Sequence, residues 1–199
     1  MAHDMFSRRH LLAFGGVAFG AGLAAPALAL TGDIVGEEDL TAQPTARRNT
    51  QSFRTVRWQD HFDNRRNGAI LCDVASRALH FWSEDGETYL VYPTSVPMTE
   101  EFTRRGRTEI TLMRREPVWI PTPNMRQRDP SLPERVEAGP ENPMGTRAMN
   151  LSWQYYRIHG IDNPAKVGRM ASNGCFGLFN HHVEYLFERC RVGTQVVVI

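Results

Sequence analysis

Seven prolines stand between Glu116 and Gly145: Pro117, Pro121, Pro123, Pro130, Pro133, Pro140 and Pro143. Each fixes its own φ, lacks a backbone donor and biases the residue before it toward extended conformations. That density argues against a helix or a central strand and predicts a long ordered loop lying over one face of the fold. Loops of such length in compact domains tend to be functional, and Trp119 gives this one an apolar anchor.

The loop divides two stretches of β character. Before it, Ala69 to Val74, Ala78 to Trp82 and Thr88 to Tyr92 are short apolar or alternating runs. Ala75-Ser76-Arg77 and Asp85-Gly86-Glu87 separate them, the pattern of a meander. Glu109 to Met113 reads as a further strand. After the loop, Tyr155 to His159 alternates so that Tyr155, Arg157 and His159 share one face and Tyr156 and Ile158 the other. Asn180 is placed to cap a helix running to about Cys190, with an apolar stripe of Val183, Leu186, Phe187 and Cys190. Gly193 ends the following turn, and Gln195 to Ile199 reads as a terminal strand. The expectation is a mainly β fold with one helix after Cys175.

The chain opens on a targeting signal. Ser7-Arg8-Arg9-His10-Leu11-Leu12 precedes an apolar, glycine-rich run from Ala13 to Ala25 and the small-x-small site Ala27-Leu28-Ala29. Residues 1–29 read as a twin-arginine signal peptide, and the expected destination is the periplasm. The apolar run is too short and glycine-rich for a membrane span, so no stable span is expected after cleavage. Residues 30–65 carry Gly32, Gly36, Pro44 and mixed charges and read as a flexible N-terminal arm, which leaves 66–199 as one domain. The formal net charge of +1 matches that of the leader, so the mature chain is near neutral. Bulk electrostatics therefore gives no reason to expect nucleic acid or an anionic membrane as partner. The local clusters Arg104-Arg105-Gly106-Arg107 and Arg114-Arg115 suit a solvated face or an anionic ligand.

Of the three cysteines, Cys72 lies on a strand face with Ile70 and Val74, and Cys190 completes the helical stripe. Both read as core thiols, with a Cys72–Cys190 disulfide as the alternative in an oxidising compartment. Cys175 is different. It sits in Ser172-Asn173-Gly174-Cys175, where no apolar periodicity claims it, and His159-Gly160 lies sixteen residues upstream. A cysteine between Gly174 and Gly177 can turn sharply and aim backbone N–H groups at a substrate oxygen. A histidine ending an apolar strand can serve as its base, and a thiolate beside an imidazolium has a depressed pKa, so the pair is expected to rest charged at neutral pH. Ser172 either contacts the site or closes the turn. A zinc site from His159, Cys175 and His181 lacks any paired-ligand spacing, and no metal or other cofactor is expected.

These residues carry a family resemblance. Ile158-His159-Gly160, Gly168, Ser172-x-Gly174-Cys175, Asn180 and Val192-Gly193-Thr194 resemble the L,D-transpeptidase catalytic domain (the YkuD-type family). Gly139-Pro140-Glu141-Asn142-Pro143-Met144-Gly145 resembles the family's stretch ahead of the histidine strand. The likeness covers roughly residues 66–199 and implies a β-sandwich with a long proline-rich loop and a helix after the catalytic cysteine. It implies that Cys175 attacks the carbonyl of the third residue of a peptidoglycan stem peptide, that His159 shuttles the proton, and that the Gly160 carbonyl fixes the histidine tautomer. Asn173, Gly174, Gly160 and Ser172 would shape the site and the oxyanion cradle. The thioester would pass to an amine, on a neighbouring stem or a lipoprotein acceptor, giving a cross-link or a tether. Alternatives are a hydrolytic L,D-carboxypeptidase or amidase, and a catalytically weak wall-binding protein.

Three departures stand out. Asn173 replaces the family's usual histidine, Gly177 replaces its usual arginine or asparagine, and Thr103-Arg104-Arg105-Gly106 lacks the usual proline. Asn173 keeps the backbone donor that its position is expected to supply. Gly177 removes a side chain that would shape the site or hold a substrate carboxylate.

Overall fold

Strands β1 (Ala69–Asp73) and β2 (Ala78–Trp82) are buried at every position. A strand covered on both faces has no reason to alternate, and both faces of this pair are covered. On the inner side Ile70, Cys72, Leu79 and Phe81 enter the main core. On the outer side Ala69, Leu71 and Trp82 pack with Phe62, Val56 and Trp58. The computed structural model describes residues 56–199. The signal peptide expected over 1–29 and most of the arm expected over 30–65 lie outside the described residues. Where the arm is described it is not loose: Trp58–Asp60 forms a 3₁₀ turn and Phe62 packs edge-on against Trp82. Burial of these aromatic side chains fixes the segment to the sheet.

The remaining strands are β3 (Tyr89–Pro93), β4 (Val96–Pro97), β5 (Gly106–Arg115), β6 (Arg147–Leu151), β7 (Arg157–His159), β8 (Met170–Ser172), β9 (Phe176–Gly177) and β10 (Gln195–Val198). An eight-stranded sheet runs in the order β3-β2-β1-β10-β5-β6-β7-β9, and β4 and β8 form a separate pair. The long β5 serves both halves of the large sheet. Its first residues pair with β10, and from Ile110 onward it pairs with β6 across an irregularity between Ile110 and Leu112. Such a break re-aims a strand. Ile70, Phe81 and Val196 of one half share a core with Ile110, Met149 and Ile158 of the other, and with Val183 and Leu186 of helix α2 (Asn180–Phe187). The mainly β expectation holds.

Several details differ from expectation. A short helix, α1 (Pro123–Arg128), forms inside the proline loop. Pro123 opens it, where a missing N–H costs nothing, and the Thr122 hydroxyl caps the Met125 N–H at 3.3 Å. Among the described residues there are thus two α-helices, not one. Trp119 and Val136 exchange backbone hydrogen bonds of 2.9 and 2.8 Å across the loop. The buried Asn142 side chain binds the carbonyls of Pro117, Val136 and Glu137 and the N–H of Met144, gathering the loop around one amide. Helix α2 stops at Phe187, and its cap position is Phe179, without a side-chain cap bond. Asn180 is occupied elsewhere. Its Oδ1 accepts from Thr146 N–H and Ile161 N–H, each at 3.2 Å. Tyr155 lies outside β7, in a turn at φ 68. Cys72 and Cys190 are separate thiols packed in or against the core.

Candidate active site

The register of β7 and β9 places the two expected catalytic side chains together. Ile158 pairs with Phe176 and His159 with Gly177 in a parallel ladder. Ile158 and Phe176 point into the core, so their neighbours Arg157, His159 and Cys175 point to the opposite face. All three line one cavity of about 310 Å³, with Trp119, Ile120 and Met125 of the proline loop opposite them. Tyr155 and Ser172 also contribute to its wall.

His159 has a defined tautomer. Its Nδ1 bonds the Gly160 carbonyl, and a carbonyl only accepts, so Nδ1 carries the proton and Nε2 is the basic nitrogen. Asn180 holds the peptide unit that carries this carbonyl, because its Oδ1 accepts from Ile161 N–H at 3.2 Å. A Cβ on Gly160 or Gly145 would stand 2.2 or 2.1 Å from the Asn180 amide oxygen, so both positions exclude a side chain. The Cys175 thiol donates to the Tyr155 carbonyl at 3.4 Å. The left-handed turn at Tyr155 is what carries that carbonyl to the sulfur.

The expected resting ion pair is not what this environment favours. Burial lowers His159 to about 4, with Arg157 and Lys166 adding to the shift and the Gly160 bond and Asp162 opposing it. Burial pushes the Cys175 thiol up, and Arg157 pulls it partly back. Desolvation disfavours both charged forms. Both shifts run against the expected ion pair.

In the cysteine turn, the Ser172 hydroxyl donates to the Cys175 carbonyl at 2.6 Å and accepts from Gly174 N–H at 3.3 Å. Ser172 therefore closes the turn, and Gly174 N–H is already engaged. Gly174 sits at φ +120 with its α-carbon against Tyr156, where a Cβ would approach the ring to 3.1 Å. The N–H groups of Asn173 and Cys175 make no hydrogen bond among the described residues. The Asn173 side chain accepts from Arg128 of α1, whose guanidinium also lies over the Phe102 ring at 4.9 Å. The proline loop is thereby attached to the residue two before Cys175. His181 is exposed and stacks on Phe179, away from this cavity.

Gly177 also has a local explanation. A Cβ there would meet Ser95 Oγ at 2.5 Å and Ile161 Cδ1 at 3.0 Å. Ser95 Oγ accepts the Gly177 N–H at 3.0 Å, and Thr94 donates to the Gly177 carbonyl at 3.1 Å. The space beside Gly177 is filled by Ser95. Ser95, Arg128, Arg157 and the Tyr155 carbonyl are site features that motif spacing did not single out. The shared face of Arg157 and His159 was the one usable signal among them.

The fold is mainly β, and a cysteine and a tautomer-fixed histidine face one cavity within it. The sequence profile of the YkuD L,D-transpeptidase catalytic domain matches residues 67–198, and the chain belongs to that family. A Fuscovulum blasticum protein, provisionally named an L,D-transpeptidase of the ATP synthase subunits region, is 42% identical over 98% of this chain and 99% of its own length. The Escherichia coli K12 protein "Probable L,D-transpeptidase ErfK/SrfK" is 37% identical over 65% of this chain. The match spans only 43% of that longer relative. Among solved structures, an L,D-transpeptidase from Stackebrandtia nassauensis aligns with TM-score 0.52 and 15% identity, over 75% of this chain and 63% of that one. One from Mycobacterium smegmatis aligns with TM-score 0.51 and 22% identity, over 67% and 58%. At such identities the likeness shows the fold.

Proposed function

We propose that the protein is an exported, periplasmic L,D-transpeptidase acting on peptidoglycan stem peptides through a Cys175 thioester. The observation that carries this reading is the common face of Cys175 and His159, with Nε2 left as the base. The thiol turns from the Tyr155 carbonyl toward His159 and gives its proton to Nε2. The sulfur then attacks the third-residue carbonyl carbon. The N–H groups of Asn173 and Cys175 are the free donors for the oxyanion, and each such donor is worth about 2.7–4 kcal/mol in comparable sites. The C–N bond breaks as His159 returns the proton to the leaving amine. An acceptor amine, on a second stem or a lipoprotein, then attacks the thioester and regenerates the thiol. The arginine pair Arg8-Arg9 ahead of Ala13–Ala25 supports export by the twin-arginine route. No helix among the described residues is long and apolar enough to cross a membrane.

The test is acylation of the purified mature protein by a stem tetrapeptide or a carbapenem, read as an intact-mass adduct. Cys175→Ala is expected to abolish the adduct; an undiminished adduct in that variant removes Cys175 from the mechanism. With a second stem peptide present, a cross-linked dimer supports transfer to an amine, whereas a shortened monomer alone assigns hydrolysis.

A further inference from the structure

A second cavity lies beside the nucleophile's cavity and is lined differently. It measures about 340 Å³, and its walls include Arg114, Arg135, Arg157 and Asn150. No acidic side chain lines it. Arg157, Ile120 and Met144 belong to both cavities, so the two are contiguous.

The sheet builds this second site by its period. Arg114 pairs with Ala148, and Ala148 with His159, while Asn150 pairs with Arg157. Met113, Met149 and Ile158 face the core from these strands, so Arg114, Ala148, Asn150, Arg157 and His159 share the opposite face. Ala148 is the small residue among them, and its size leaves the space open.

Two of the three charges in this space are unmatched. Arg135 is paired with Glu137 at 2.7 Å on the surface. Arg114 and Arg157 have no carboxylate within ion-pair distance among the described residues. Arg157 is half-buried, where an unpaired cation is costly. The Asn150 amide oxygen is buried without a hydrogen-bond partner, the kind of group that a bound polar ligand would satisfy. Two guanidinium groups suit a carboxylate, which they can grip by paired N–H bonds.

Resting on the reading of Cys175 as nucleophile, we propose that this arginine-lined cavity is the subsite for a carboxylate of the donor peptide, with Arg157 tying it to the thiol. Two carboxylates of a stem peptide have the required chemistry: the α-carboxylate of the departing terminal residue and a side-chain carboxylate of the third residue. Both flank the scissile bond.

Acylation of Cys175 by three matched tetrapeptides tests this by mass spectrometry: the free acid, its C-terminal amide, and its third-residue side-chain amide. The free acid is expected to acylate faster than one of the amides, on the order of tenfold to a hundredfold, the range of a charge-assisted hydrogen bond. The slower amide identifies the carboxylate. Arg157→Gln is expected to erase that preference and Arg157→Lys to retain part of it. Arg114→Gln, a change at an exposed position, is expected to reduce it. A merely structural role would slow all three peptides alike and leave the preference intact, which overturns the subsite. Equal rates in the wild-type protein overturn it as well. Failure of all three peptides to acylate Cys175 would overturn the nucleophile reading and this one together.

Discussion

The two halves of the sheet obey one rule and meet different demands. In the half built from β1, β2 and β10, both faces are covered, one by the core and the other by the Val56–Phe62 segment. Its strands are apolar at nearly every position, and the half acts as a scaffold. In the half built from β6, β7 and the end of β5, the inner face packs on the core and the outer face meets only the proline loop. Its outward positions carry Arg114, Asn150, Arg157 and His159 instead of packing residues. The candidate site sits where the sheet lacks a close-packed second cover. The loop that lies over this face, held through Arg128 and Asn173, leaves cavities beneath it, whereas the Val56–Phe62 segment packs its Phe62 against Trp82.

The largest expected effect breaks the covered half. Phe62 is 3% exposed and packs on Trp82. Phe62→Ala should destabilise the protein by about 3–5 kcal/mol, the usual result of emptying a buried aromatic site. Chemical denaturation measures this, and the acylation rate per folded molecule should stay unchanged. A loss near zero would mean that the segment is not part of the domain.

The next effect falls on the open half. Gly177→Asn restores a residue type usual in the family but drives a Cβ into Ser95 Oγ and Ile161 Cδ1. Overpacking of this kind costs about 1–3 kcal/mol. Adding Ser95→Gly should recover part of the stability, because it removes the side chain that the new one strikes. If Gly177→Asn alone is neutral in a thermal melt, the Ser95 contact is not what keeps glycine at this position.

How far the sequence disclosed this site depends on range. That Cys175 and His159 would face one cavity was legible because strand alternation and a glycine turn act over a few residues. The same alternation placed Arg157 on the face of His159, although nothing local said that it would stand between two cavities. Ser95 was hidden because it meets Gly177 across 82 residues of chain. Asn180 was misread as a cap because a capping asparagine and one that binds a distant loop look alike in sequence. Helix α1 was missed because Pro123 falls at the one helical position where proline does no harm. The resting charge of the site was less legible. It depends on how deeply the thiol and imidazole are buried, and residue identity carries no record of depth.

That last point leads to the smallest effect, a slope rather than a collapse. His159 and His182 are each lowered to about 4 by burial, with neighbouring cations adding to the shift at His159 and His181 adding to it at His182. Buried His80, in the covered half, is shifted the same way. An unfolded chain binds protons at these histidines from about pH 6.5 downward, before the folded protein does. Protonation then favours the unfolded state, so the stability that neutral histidines contribute is complete above about pH 6.5 and is lost as pH falls toward the folded values. Melting temperature should therefore hold steady from pH 8 to about 6.5 and decline from there to pH 5, a window above the titration of ordinary carboxylates. His159→Asn should flatten the decline in part and His80→Asn should flatten it separately, since one histidine serves each half. If the wild-type and His159→Asn curves run parallel through that window, the imidazole beside Cys175 is not held neutral by its surroundings.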